Sequence, residues 1–143
     1  MMLALSVRQP FAELILSGIK TIEYRSRPTR IVGQRFYLYA SKGRGAKLNP
    51  TAKPWSADLA VPGTDGSPVT PPWILELANG MKLFPAELPT GVIVGSAVIE
   101  KVTPGDASLG SGGMWCWHLA DVRRETTPRK PTGRPQPVWF KVD

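Results

Sequence analysis

"RQPFAELILSGIKTIEYR", Arg8 to Arg25, changes its period halfway along. Up to Leu16 the apolar residues repeat as in a helix, with Phe11, Leu14 and Ile15 at i, i+3 and i+4 on one face. Pro10 suits the first helical position, where a backbone N–H would have no intrahelical partner. Gly18 is a stop signal, because the residue past a helix end often turns left-handed, which glycine does without a steric penalty. From Thr21 the period becomes two: Ile22 and Tyr24 point one way, and Thr21, Glu23 and Arg25 the other. The stretch therefore reads as helix, tight stop, strand. Extended to "SGIKTIEYRSRPTR", Ser17 to Arg30, it carries one lysine, one glutamate and three arginines. A solvated turn accounts for such a cluster, and so does a site that grips an anionic or polar ligand.

Outward from this turn the chain reads mostly as strands. "LALSV" precedes it as a short β-type run. "QRFYLYASK" follows, with Phe36, Leu38 and Ala40 on one face and Tyr37, Tyr39 and Ser41 on the other. "TGVIVGSAVIEKVTP" is apolar on both faces and is expected at the centre of a sheet. "MWCWHLADVRR" alternates Trp115, Trp117 and Leu119 against Cys116, His118 and Ala120, and "PQPVWFKV" closes the chain as a last strand. Between them, residues 43 to about 72 are rich in Gly and Pro and form an irregular insertion, which Trp55 pins to the core or turns towards a ligand. "PPWILELANGM" reads as a second helix, with Pro72 at its start and Gly80 after its end. The sum is an α+β chain: about six short strands with antiparallel connections, two or more peripheral helices, and closure into a small barrel that removes exposed edges.

The length of 143 residues, with 42% apolar, suits a single domain over 1–143 with its own core. The opening apolar run, Met1–Leu5, is short for a secretory signal, and "GVIVGSAVI" is short for a membrane span. The chain thus reads as soluble and cytoplasmic, with no membrane partner. Cys116 is the one cysteine, which excludes an intrachain disulfide and fits a reducing compartment. With His118 the one histidine, a four-ligand zinc site is not expected, and neither another metal nor a cofactor is. A lone histidine on a strand reads as a buried or capping residue.

The net charge of +7 is unevenly spread. Residues 1–47 hold nine Lys/Arg and two Asp/Glu, a net +7; residues 48–122 hold three and seven, a net −4; residues 123–143 hold six and two, a net +4. If the two ends meet, they form one basic face of the kind that attracts nucleic acid or another polyanion. The C-terminal "RRETTPRKPTGRPQP" reads as a basic loop stiffened by prolines, with Arg124 and Arg134 as the expected phosphate contacts.

In "GIKTIEYR", Glu23 and Arg25 project from one strand face, two residues or roughly 7 Å apart, with Lys20 beside the turn. A carboxylate between two cations stays ionised. It accepts from N–H groups while the cations donate to carbonyl or phosphate oxygens. A salt-bridge network tying helix to barrel gives the same pattern.

Gly18, Lys20, Glu23 and Arg25 match the G-x-K-x-x-E-x-R signature of the ASCH (activating-signal-cointegrator homology) family, within the PUA-like superfamily of small β-barrels. "LSVRQPFAELILSGIKTIEYRSRPT", "YLYASK", "GVIVGSAVIEKV" and "WHLADVRR…KPTGRPQPVWF" resemble bacterial ASCH proteins in the same order, over most of the chain outside 43–72. The resemblance implies a PUA-like barrel whose signature residues line a cleft beside the first helix, and a ligand that is RNA or a modified nucleoside. Lys20, Glu23, Arg25, Arg27, Tyr39, Ser41, Lys42 and Trp117 are the expected ligand-binding residues.

Three activities follow from it. A non-catalytic reader of RNA or of a modified base would stack bases on aromatic side chains, with Tyr24, Tyr39, Trp55 and Trp117 available. Some small ASCH-like proteins are amidohydrolases that deacetylate N4-acetylcytidine with a lysine, a threonine three residues later and a distant glutamate. Lys20 matches that lysine, but position 23 is Glu and Thr21 stands off the matching place, so Lys20 and Glu23 are the catalytic candidates, activating a water. The third is a ribonuclease for single-stranded RNA, for which Lys20, Tyr39, Ser41, Lys42 and Lys53 are available without a histidine pair. Binding ranks first, because the threonine is missing.

Overall fold

The computed structural model of the chain describes residues 2–42, 80–82, 87–105 and 113–142. These form strand β1 (Met2–Arg8), helix α1 (Phe11–Leu16), β2 (Ile22–Arg25), β3 (Arg35–Ser41), β4 (Val92–Pro104), β5 (Trp115–Arg129) and β6 (Trp139–Val142). The strands make one sheet in the order β2-β5-β4-β3-β1-β6. The doubly apolar β4 takes a central place between β3 and β5, and Ile93 to Ala97 and Ile99 are buried. At Gly95 the packing leaves no room for a side chain: a Cβ would stand 2.4 Å from the Arg123 carbonyl oxygen and 2.5 Å from Leu16 Cδ2. Absence of a side chain there lets the end of α1 settle directly on the sheet.

One expectation is met only in part and one needs correction. Among the described residues α1, of six residues, is the one complete helix, against the two or more expected, and Gly80 is helical as well. The second expected helix falls at 71–81 and lies, apart from its last two residues, outside the described residues, as does the 43–72 insertion with Trp55 and Lys53. The connections are also not all antiparallel. β1 pairs with β3 in parallel, Ala4 opposite Tyr37 through Arg8 opposite Ser41, because α1 and β2 together carry the chain back between them. The other pairings are antiparallel.

The sheet curls. β5 and β6 are four strand spacings apart in the sheet order, roughly 19 Å if the sheet were flat. Instead, the Trp117 and Trp139 rings stack with centroids 5.9 Å apart and planes 10° from parallel. Phe36 meets Trp139 edge-on at 5.0 Å. Across the same gap, Arg25 of β2 donates to the Ser6 carbonyl of β1 at 2.9 Å. Leu5, Val7, Ala12, Ile15, Phe36, Leu38, Ala97, Ile99 and Trp117 form the main core inside this half-barrel. A second cluster of Ala4, Tyr39, Ile93, Phe140 and Val142 packs on the other side of β1 and β3. The two basic ends do meet where β1 lies against β6.

Candidate functional site

The site begins at the helix stop. Gly18 has φ +82°; its N–H donates to the Ile15 carbonyl at 3.0 Å, and the Ile19 N–H reaches back to the Leu14 carbonyl at 3.1 Å. This double closure is the Schellman arrangement that a glycine after a helix permits. The Lys20 N–H also donates to the Leu14 carbonyl, at 3.0 Å. Lys20 is therefore fixed by backbone before its side chain makes any contact.

On β2 the burial is the reverse of an ordinary surface strand. Glu23 and Arg25 are the buried pair, at 6% and 3% exposure, whereas Ile22 and Tyr24 are half-buried. The charged face points inward because its charges satisfy one another. Lys20 Nζ stands 3.0 Å from Glu23 Oε1. Arg25 donates to Glu23 Oε2 from Nη2 at 2.8 Å and from Nε at 3.2 Å. Lys20 Nζ also donates to the Ile22 carbonyl and lies 5.2 Å from the Tyr24 ring and 5.7 Å from the Phe11 ring. The Arg25 guanidinium sits 5.7 Å from the Trp117 ring centre. Burial alone would raise the Glu23 carboxyl; the charges of Lys20 and Arg25, with their hydrogen bonds, outweigh it and lower the pKa to about 2. Glu23 is thus a carboxylate at neutral pH.

The ASCH domain family matches residues 5–129, which include this charged group and β1 through β5. The chain belongs to the ASCH domain family. Solved structures with a similar fold include ASCH from Zymomonas mobilis, at 15% identity and TM-score 0.56, covering 99% of this chain and 87% of that one. A tyrosine-to-phenylalanine mutant of the Zymomonas mobilis protein aligns at 14% identity and TM-score 0.56, covering 99% and 90%. No curated protein matches the chain.

Of the expected ligand residues of this ASCH chain, Lys20, Glu23, Arg25 and Trp117 come together. Trp117 is 1% exposed and donates from Nε1 to the Arg27 carbonyl at 3.0 Å. Its indole is engaged by Trp139 and Arg25, which makes it a wall of the barrel. Arg27 is exposed and contributes that carbonyl. Tyr39 is buried in the second cluster, edge-on to Phe140 at 5.3 Å, and burial pushes its hydroxyl pKa up. Ser41 and Lys42 lie at the end of β3, half-buried and exposed respectively. Arg124 and Arg134 are exposed; Arg124 pairs with Glu13 of α1 at 2.8 Å, so the helix shares that charge. His118 meets Thr103 across the β4–β5 pairing, with Nε2 and Oγ1 2.8 Å apart. Among the described residues no helix is long and apolar enough to cross a membrane, and no group of His, Cys, Asp or Glu is gathered to hold a metal ion.

Two contributors escape a reading of the sequence alone. The Ser6 carbonyl, which receives Arg25, belongs to the backbone and leaves no residue-type signal. Trp139 is visible as an aromatic in a strand, but its stack on Trp117 depends on the curl of the sheet.

Proposed function

We propose that this ASCH chain binds RNA or a modified nucleobase at the charged cluster of Lys20, Glu23 and Arg25, and that it recognises its ligand without hydrolysing it. The observation that carries the proposal is the commitment of protons in that group. Glu23 is ionised and bracketed by two cations, so it accepts hydrogen bonds and has no proton to give. Lys20 already donates to a carboxylate and a carbonyl, which suits a fixed positive donor and opposes a role as nucleophile or base. Fixed donors beside a fixed acceptor match the edge of a nucleobase. The meeting of the two basic chain ends along β1 and β6 supports a polyanionic ligand. Membership in a PUA-like family for which RNA binding is proposed supports it further.

The test uses single-stranded RNA containing one N4-acetylcytidine, with wild type and Lys20→Ala in parallel. Affinity is read at two salt concentrations and product mass by mass spectrometry. The expected result is salt-sensitive binding, weakened about tenfold or ~1.4 kcal/mol by the substitution, with RNA of unchanged mass. A shorter product that depends on Lys20 would replace the proposal with a ribonuclease. Loss of the acetyl mass at full length would replace it with an amidohydrolase. No binding at low salt would overturn RNA recognition.

A further inference from the structure

Arg8 ends β1, directly before α1, and its guanidinium is left in an unusual state. Nε and Nη2 are both buried, and neither has a hydrogen-bond partner among the described residues. These two nitrogens share one edge of the guanidinium, the edge that takes two oxygens of a phosphate or carboxylate side by side. Arg25 spends the same edge on Glu23. Burying two N–H groups without acceptors is unfavourable, and folded chains avoid it unless the group serves a purpose beyond stability.

The surroundings favour an anion. Arg8 is opposite Ser41 in the parallel β1–β3 register, so both stand at the carboxyl end of that pair, and Lys42 follows directly. Gly91 closes on this end: its N–H donates to the Ala40 carbonyl at 2.6 Å, and a Cβ on it would stand 2.8 Å from Lys42 Cε. The Gln9 side chain donates to the Pro89 carbonyl at 3.0 Å, tying the same corner together. Neither Arg8 nor Lys42 forms an ion pair among the described residues. Arg8 and Ser41 thus face each other at the end of the β1–β3 pair, with Lys42 next in the chain and no acidic partner for either cation among the described residues. Arg8 as a whole remains half-buried, so part of its side chain is open to solvent.

We propose that Arg8, with Ser41 opposite it at the end of the β1–β3 pair, is a phosphate-binding site, and that the ligand's phosphate is gripped by the Nε/Nη2 edge of Arg8. That the phosphate belongs to RNA rests on the function proposed above; the anion site itself does not. The site makes the ligand a nucleotide or a strand, not a free nucleobase.

The test follows the Arg8 Nε–Hε resonance by 15N-edited NMR, assigned by its loss in Arg8→Lys, during titration with inorganic phosphate and, separately, with a short single-stranded RNA. RNA affinity and Tm are measured for wild type, Arg8→Lys and Arg8→Met. Both probes should move the Arg8 resonance. Both variants should bind RNA about tenfold more weakly, since lysine keeps the charge but lacks the two-pronged edge. The Tm of Arg8→Met should be unchanged or raised, because the substitution removes unmet buried donors. A resonance moved by phosphate while RNA fails to bind would keep the site and remove the RNA reading. RNA binding of wild-type strength in both variants, with the resonance unmoved, would overturn the site and leave the RNA reading standing. A resonance unmoved by either probe, or a Tm lowered in both variants with affinity intact, would also overturn the site and make Arg8 structural.

Discussion

Arg25 on β2 and Arg8 on β1 both carry buried guanidinium nitrogens, and the surroundings of their Nε–Nη2 edges differ. At Arg25 the Nε–Nη2 edge has its answer: Glu23 accepts from it twice, Lys20 holds the other carboxylate oxygen, and the Ser6 carbonyl receives a further bond. Around Arg8 the corresponding donors find no acceptor among the described residues. The closed group ties an edge strand across the barrel gap, while the open one sits where β1 and β3 end. A protein that binds a charged ligand needs both, a satisfied cluster that fixes geometry and an unsatisfied one that the ligand completes.

The sharpest way to break this contrast is Glu23→Gln. It leaves Lys20 and Arg25 buried without a counter-charge, and removal of one partner of a buried ion pair costs roughly 3–5 kcal/mol. Urea unfolding should show a loss of ~3 kcal/mol, the lower end because Lys20 keeps some exposure. Acid should reproduce part of that loss in wild type. The Glu23 pKa is about 2 in the folded chain against an ordinary 4.5, so the unfolded chain takes up the proton first as pH falls. The stability that Glu23 supplies is complete above about pH 4.5 and is lost as pH falls through about 2. Unfolding midpoints across that window should fall more steeply in wild type than in Glu23→Gln. Equal slopes would mean that another carboxylate governs acid sensitivity.

A smaller effect is expected at Gly18. An added Cβ there meets nothing within 4 Å, so Gly18→Ala tests the left-handed backbone alone and should cost ~1 kcal/mol in thermal unfolding. Its effect on ligand affinity should exceed its effect on stability if the backbone placement of Lys20 matters to the site. The smallest effect is at Arg124, half-exposed against Glu13; Arg124→Ala should change unfolding free energy by less than about 0.5 kcal/mol, and high salt should erase the difference.

Much of the frame was legible from side-chain pattern. The i, i+3, i+4 repeat before Gly18 places α1, the glycine places its end, and the alternation of "TIEYR" puts Glu23 and Arg25 on one face. The two-faced apolarity of β4 correctly makes it central. What pattern cannot supply is which face of a charged strand turns inward, since Ile22 and Tyr24 look like the buried pair until Lys20, Glu23 and Arg25 are seen to neutralise one another. The far half of β5 was equally obscure, because "RRETTPR" has no apolar alternation and is held in the sheet by backbone pairing with β4. The parallel β1–β3 pairing and the Trp117–Trp139 stack are long-range facts that local periodicity does not encode.

The β1–β6 pairing sets Met2 opposite Val142, so residues near the two ends of the described chain lie side by side at one corner. A load applied through those two residues would open the pair as a zipper, with its backbone bonds stressed one after another instead of sharing the force. The first element to leave would be β6, and Trp139 would leave with it, uncovering the indole of Trp117. Tension at that corner would part the β1–β6 ladder, and with it the aromatic contact that closes the half-barrel, before it disturbed β4.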